Sequence, residues 1–246
     1  MSTSANIAVQ FRNVTKSFGQ KLVLNDVSFQ LEQGQVLCLL GRSGTGKTVT
    51  LKITMALMRP EAGEVWVEHE NVVALNEIGL SAVRRKLGYL FQDAALFDSY
   101  TLYENLALPL ARLTRKSKSE IDDRIRCVLS DVGLSSDGEK YPSALSGGMR
   151  KRAGLARAIV LEPEILLADE PSSGLDRITA SEIHDLLLRC KEQRGTTMIV
   201  VTHDVYGARR IADRIAVLDK GKLVAFGSVD EVSQSENDVA RRLIAA

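Results

Sequence analysis

Gly41-Arg42-Ser43-Gly44-Thr45-Gly46-Lys47-Thr48 decides the fold of this chain. It matches a glycine, four variable residues, Gly-Lys and then Ser or Thr, and Val49 follows it. Glycines at these places let the backbone curl around a phosphate and turn several N–H groups inward at a helix N-terminus. Lys47 then offers a compact positive charge to the β- and γ-phosphates, and the Thr48 hydroxyl offers a ligand to Mg2+. The flanks agree. Val36 to Leu40 is a short, continuously apolar run with the length of a buried strand, and a helix is predicted from near Lys47 to before Pro60. A glycine-rich surface turn would need neither neighbour. Taken alone, such a loop serves kinases, GTPases and ATPases equally.

Downstream, the apolar strand Ile165-Leu166-Leu167-Ala168 ends in Asp169-Glu170. Unpaired carboxylates are costly to desolvate, so two at the end of a buried strand call for a cause. In a doubly wound sheet, strand carboxyl ends line the ligand crevice. Asp169 can hold Mg2+ there, directly or through water, and Glu170 can orient and polarise an attacking water. The competing reading is a turn or N-cap acid before Pro171. Leu145-Ser146-Gly147-Gly148-Met149 precedes a basic helix with apolar periodicity, Arg150 to Val160. Ser146 suits an N-cap, whereas two glycines weaken a helix start and imply a close approach. Backbone N–H groups and a serine hydroxyl at a positive helix end make a second phosphate site. One chain cannot easily bring both sites to one γ-phosphate. A second copy can.

Around these motifs the chain alternates. Ile7 to Leu31 shows mostly period-two spacing and reads as two or three strands. Extended pieces follow at Glu64 to Glu68 and Gly88 to Gln92. Segments 101–112, 118–131 and 146–160 favour helix, separated by Gly133, Gly138 and Pro142. Strands return at Ile165 to Ala168, Thr196 to Val201 and Ile215 to Leu218, with a helix over 177–193. Asp219-Lys220-Gly221-Lys222 reads as a hairpin turn. Apolar strands alternating with helices imply a largely parallel sheet covered on both faces.

Composition narrows the function. Lysine plus arginine (32) nearly cancels aspartate plus glutamate (31), and aromatic residues make up 5%, so no general pull toward nucleic acid is expected. No apolar stretch approaches the roughly 18–20 residues that span a bilayer. The start, Met1-Ser2-Thr3-Ser4-Ala5-Asn6, lacks the basic and apolar segments of a signal peptide. Cys38, Cys127 and Cys190 lack metal-ligand spacing and read as small buried hydrophobes. Arg112, Arg115, Lys116 and Lys118 form a small basic run that reads as a solvated loop.

Ser146-Gly147-Gly148 ahead of Ile-Leu-Leu-Ala-Asp-Glu-Pro-Ser-Ser-Gly-Leu-Asp, downstream of the glycine loop, resembles an ABC-type ATPase over nearly the whole chain. The resemblance implies an α/β, P-loop NTPase (RecA-like) core with a mostly parallel sheet, an N-terminal antiparallel β subdomain and a helical insertion. It makes 1–246 a single ABC ATPase domain, with the core and β subdomain over about 1–92 and 163–246 and the helical subdomain over about 93–162. By position, Gln92 resembles the glutamine that senses Mg2+ and the γ-phosphate, and Asp176 the residue of a loop that crosses to the other copy. His203 resembles the switch histidine that grips the γ-phosphate, and Phe18 the aromatic that stacks on adenine. Taken singly, Gln92 is a loop amide, His203 a helix cap and Phe18 a core side chain. Order and spacing favour the functional roles.

Two departures are visible. Met149 stands where glutamine is commonest, and Arg177 replaces the usual proline after Asp176. Leu-Ser-Gly-Gly-Met-Arg-Lys-Arg-Ala-Gly-Leu-Ala-Arg-Ala is similar to the ATPases of Mla/MCE-type lipid transporters. The resemblance implies Mg-ATP hydrolysis by a homodimer with ATP sandwiched between copies, bound through integral-membrane permease subunits to the cytoplasmic face of the inner membrane. It further implies phospholipid or a similar cargo, an MCE-domain protein and a small cytoplasmic accessory subunit. Leu96, Phe97 and Tyr100 either line the groove that receives the permease or pack inside the insertion. Val239, Leu243 and Ile244 are expected to cover the chain's own core. A soluble, non-transport ABC ATPase is the main rival, and a long coiled-coil insertion or a second ATPase unit would mark it. A non-catalytic nucleotide-binding regulator fits less well with Glu170 and His203 both present, and no Asn-Lys-x-Asp segment marks a GTPase.

Overall fold

The computed structural model describes residues 6–245. The expectation for Met1 to Ala5 lies outside them. β1 (Ile7–Phe18) and β2 (Lys21–Glu32) lead into β3 (Val36–Leu40), the glycine loop and α1 (Lys47–Thr54). β4 (Ala62–Val67), β5 (Glu70–Asn71), α2 (Glu77–Arg84) and β6 (Leu87–Leu90) follow. Three helices come next: α3 (Leu102–Leu113), α4 (Lys118–Asp131) and α5 (Gly147–Ile159). The chain then alternates through β7 (Ile165–Asp169), α6 (Arg177–Arg194), β8 (Thr197–Thr202), α7 (Val205–Ile211) and β9 (Arg214–Asp219). It closes with β10 (Lys222–Gly227), α8 (Val229–Ser233) and α9 (Asp238–Ala245).

Two sheets form. An antiparallel sheet has the order β2-β1-β4-β5, and a six-stranded sheet has the order β10-β9-β3-β8-β7-β6. In the second, β9 through β6 are parallel and the edge strand β10 returns antiparallel from β9. The turn that joins them places Lys220 and Gly221 at positive φ, which suits a tight hairpin.

Period-two alternation explains the layering. On β3, Val36, Cys38 and Leu40 join one apolar cluster with Leu106, Leu129, Leu155 and Leu187 of the helices. Leu37 and Leu39 join another, with Phe11 and Leu31 of the antiparallel sheet and Leu51 of α1. A one-residue slip would exchange the two faces, so burial on both sides pins the register. The helical stretch expected over about 93–162 contains α3, α4 and α5, and its apolar side shares the first cluster with β3, β7 and β8.

Some elements escaped the sequence reading. Asn76 caps α2 by accepting from Gly79 N at 3.0 Å, and Leu80 and Val83 are its buried residues. That cap was a usable signal. The short helices α7 and α8 carry too few residues to show a period. Cys127 corrects the cysteine reading: Cys38 and Cys190 are buried, but Cys127 is exposed on α4. At the C-terminal end, Ile244 is buried and Leu243 packs on the core, whereas Val239 is exposed.

Candidate active site

Parallel register gathers the motif residues. Leu40 pairs with Thr202, Asp169 with Val201 and Leu90 with Ala168, so the carboxyl ends of β3, β8, β7 and β6 share one edge. The glycine loop, Asp169-Glu170, His203 and Gln92 all begin there. A cleft of about 700 Å3 opens at this edge, lined by Phe18, Lys21, Val23, Ser43, Gly44, Gly46, Lys47, Thr48, Val49, Gln92, Glu170 and His203.

The loop has the conformation its glycines allow. Gly44 and Gly46 adopt φ of 79° and 104°. A Cβ at Gly46 would lie 2.6 Å from Leu24 Cδ2 and 2.9 Å from Val23 O, so the loop passes too close to β2 for a side chain. Gly46 is also the N-cap of α1 and provides no side-chain acceptor, leaving the first N–H groups of α1 available to an anion. Lys47 Nζ donates to Gly41 O at 2.8 Å and approaches Glu170 Oε1 at 3.8 Å. Gly41, Arg42 and Thr45 do not line the cleft. The Gly41 and Arg42 carbonyls orient Lys47, and Thr45 Oγ1 donates to Arg42 O at 2.9 Å to close the loop on itself.

Thr48 Oγ1 donates to Asp169 Oδ1 at 3.1 Å. Burial pushes the Asp169 carboxyl above the usual aspartate range, the Thr48 hydrogen bond opposes this and the Glu170 charge adds to it. Tyr89 OH points to the other carboxylate oxygen at 3.4 Å, and burial beside Asp169 raises its own pKa. An anionic oxygen and a hydroxyl side by side form the hard donor set that Mg2+ accepts alongside phosphate oxygens and water. Beside them, Glu170 sits at φ 48°, in the left-handed region. Its N–H donates to Val201 O at 2.8 Å, and its Oε2 lies 2.8 Å from His203 Nδ1. Strain of this kind persists where surrounding contacts over-determine the backbone. Here it aims the carboxylate between Lys47 and His203.

Phe18 lies at the end of β1, 47% exposed, with Lys16 Nζ 5.4 Å from its ring centroid. The core reading of Phe18 is thereby excluded. Ser146, Gly147, Gly148 and Asp176 lie outside this cleft. Ser146 caps α5 by accepting from Met149 N at 3.3 Å. A Cβ on Gly148 would lie 2.6 Å from Thr179 Cγ2, which is the close approach its glycine permits, while a Cβ on Gly147 would meet nothing closer than Leu175 Cδ2 at 4.0 Å. Asp176 caps α6, accepting from the N–H groups of Ile178 and Thr179 at 3.0 Å each. The variant Arg177 stacks on Tyr206 at 4.9 Å, and Met149 packs against the core. Of the three groove candidates, Leu96 is partly buried on the core while Phe97 and Tyr100 are exposed. Lys21 and Val23 in the cleft, and Lys151 beside it, were not singled out from sequence.

Comparison with known proteins identifies the family. Residues 24–173 match the family model described as ABC transporter. The chain is 42% identical over 238 residues to the Mycobacterium leprae protein named "Probable ribonucleotide transport ATP-binding protein mkl", covering 97% of this chain and 69% of that protein. It is 38% identical over 239 residues to the "Methionine import ATP-binding protein MetN" of Caulobacter vibrioides, covering 96% and 72%. Among solved structures, the dimeric post-hydrolysis state of the ATP-binding cassette MJ0796 bound to ADP and Pi is similar, with a TM-score of 0.83 and 34% identity over 89% of this chain and 98% of that one. The described residues include no helix long and apolar enough to cross a membrane.

Proposed function

This chain belongs to the ABC transporter family as an ATP-hydrolysing subunit, and from that we propose that two copies close on two ATP molecules to drive a membrane permease. One observation carries the pairing. Lys47, Glu170 and His203 line a single cleft, yet the phosphate-ready end of α5 at Ser146 lies outside it in the same chain. The Ser146-Gly147-Gly148 end is thus free to meet a partner's nucleotide. The dimeric, nucleotide-bound ATP-binding cassette noted above is a precedent for pairing.

Within each site, the α1 N-terminus and Lys47 hold the β- and γ-phosphates, and Phe18 stacks on the adenine. Thr48, Asp169 and Gln92 would hold Mg2+, which would withdraw charge from the terminal phosphates. Glu170 orients the attacking water and accepts its proton, while His203 bonds to Glu170 and to the γ-phosphate. Asp176, at the α6 cap, faces the partner copy. Loss of the γ-phosphate removes what both copies hold, and with it the differential affinity that keeps the pair shut.

Glu170→Gln tests the pairing. Removing one well-placed transition-state group costs about 3–4 kcal/mol, a few hundredfold in rate. The variant should bind ATP, hydrolyse it very slowly and accumulate dimers by light scattering. Wild-type turnover, or a strictly monomeric population with ATP, would sink the assignment. Mixing Lys47→Ala and Ser146→Ala chains should restore one composite site.

The load is phospholipid or a similar hydrophobic cargo, supported by the likeness of residues 145–158 to Mla/MCE-type ATPases. On this reading the subunit would sit on the cytoplasmic face of the inner membrane, with an MCE-domain protein and a small accessory subunit in the assembly. A core of about 1–92 and 163–246 would carry the nucleotide, and about 93–162 would meet the permease through Phe97 and Tyr100. Import of a polar solute is the second reading, favoured by the names of the mycobacterial and Caulobacter relatives. Lipid analysis of the co-purified complex, with ATP-dependent transfer assayed in both directions, separates the two.

A further inference from the structure

Lys151 is charged, yet only 9% of its surface is exposed, and its ammonium is fully engaged. Nζ donates to Gln92 O at 2.6 Å, to Glu170 O at 3.1 Å and to Ser173 Oγ at 3.1 Å. Those are three donors on three acceptors, with no hydrogen left over. Ser173 Oγ adds a bond of its own to Glu170 O at 3.0 Å. A buried ammonium is tolerated when paired and hydrogen-bonded, and here every bond goes to a segment that shapes the cleft.

Its position on α5 matters as much as its partners. Ser146 caps the helix, and Lys151 follows one turn later. Gly154, one turn further on, approaches the segment after Gln92 so closely that a Cβ would lie 2.7 Å from Ala94 Cβ. Ala94 and Ala95 both hold positive φ, at 61° and 50°, so that segment is constrained and does not slide freely. At the other end, Gly148 abuts Thr179 of α6. One rigid helix therefore carries the Ser146 cap and also bears on the backbone of Gln92 and of the left-handed Glu170.

We propose that Lys151 is a positioning residue that couples the Ser146 end of α5 to Gln92 and Glu170 of the same chain, so that engagement of Ser146 by the partner's nucleotide is transmitted to the chain's own hydrolytic site. The inference rests on the paired reading above. Lys151 lies outside the cleft lining, so its action is on the geometry of Glu170 and Gln92. Without it, the Glu170 carbonyl keeps only the N–H and Oγ of Ser173, the Gln92 carbonyl loses its side-chain partner, and the strained backbone can relax.

The test uses the full chain with Lys151→Met, Lys151→Arg and Lys151→Gln. ATP affinity, kcat, the Hill coefficient for ATP hydrolysis and thermal melting are measured for each. Lys151→Met should hold ATP as wild type does, lower kcat by about ten- to a hundredfold as a misplaced catalytic group does, and bring the Hill coefficient below the wild-type value, toward about 1. Lys151→Arg should recover most of both. If Lys151→Met melts early, Lys151→Gln, neutral but still a donor, carries the comparison under the same criteria. Unchanged kcat and Hill coefficient in a folded neutral variant overturn the inference. Dimers that still form with ATP in Glu170→Gln would then leave the paired reading standing. If Glu170→Gln forms no dimers, the paired reading itself fails and the coupling falls with it.

Discussion

Thr48 donates its hydroxyl to Asp169 at 3.1 Å although 121 residues separate them. The contact joins the first turn of α1 to the end of β7 and sets a hydroxyl beside a carboxylate in a buried place. Asp169→Asn should raise the Mg2+ concentration for half-maximal ATPase activity by about 10–100-fold, as loss of a residue orienting the metal shell does. A Mg2+ titration at fixed ATP checks this. An unchanged half-saturation point would remove Asp169 from the cation site.

Phe18 stands exposed at the cleft rim with Lys16 above its ring. Aromatic stacking contributes about 0.5–1.5 kcal/mol beyond area burial. Phe18→Ala should therefore raise KM for ATP by about fivefold and leave kcat nearly unchanged. A fall in kcat with KM constant would contradict a role confined to adenine.

Gly207 gives way to a histidine. A Cβ there would lie 2.1 Å from Cε1 and 2.4 Å from Nε2 of His184, which is only 4% exposed. Gly207→Ala should cost about 1–3 kcal/mol in urea unfolding, as overpacking a buried site does. Combined with His184→Ala, the loss should be less than additive, because the second change vacates the contested space. Strict additivity would show that the clash is absorbed elsewhere.

His184 also predicts a pH effect. Burial, partly offset by the Asp204 carboxylate, holds its pKa below the ordinary histidine value of 6.5. Its folded pKa is depressed, so between that value and 6.5 the unfolded chain binds more protons. The stability held by the neutral ring is complete above 6.5 and is lost as pH falls through the folded value. Urea midpoints should decline on acidification below about pH 6.5, and less steeply in His184→Gln. Parallel curves for the two proteins would exclude His184 as the titrating group.

Asn105, fully buried on α3, holds the loop that displays Phe97 and Tyr100. Its side chain accepts from Phe97 N at 2.8 Å and donates to the carbonyls of Phe97, Tyr100 and Thr101. Asn105→Ala should destabilise by about 1–3 kcal/mol and speed hydrogen exchange over residues 97–101. Basal ATP hydrolysis should persist while coupling to the permease weakens. Unaltered exchange in that segment would show that other contacts hold the loop.

Much of the molecule was legible in its residues, because local patterns carry physical requirements. The Gly41 to Thr48 loop, the apolar runs at Val36 to Leu40 and Ile165 to Ala168, and the Ser146 cap each depend on neighbours in sequence. Capping boxes at Thr101–Glu104 and Ser117–Glu120 mark the starts of α3 and α4 in the same way. Short elements were harder. The strand β5 is two residues long, and α7 is seven, too few for a period to emerge.

The chain's own order of residues therefore determined the loop, the strands, the acids at their ends and the family to which they belong. Tertiary structure decided which of those residues meet. Parallel register brings Gln92, Glu170 and His203 to one edge, and close packing of α5 turns Lys151 inward onto two strand ends. No local rule distinguishes Lys151 from Arg150 or Arg152, since all three belong to one basic run. Their burial depends on which face of α5 meets the sheet edge, and that is set by contacts across more than fifty residues of chain, with the Lys151–Gln92 bond spanning 59.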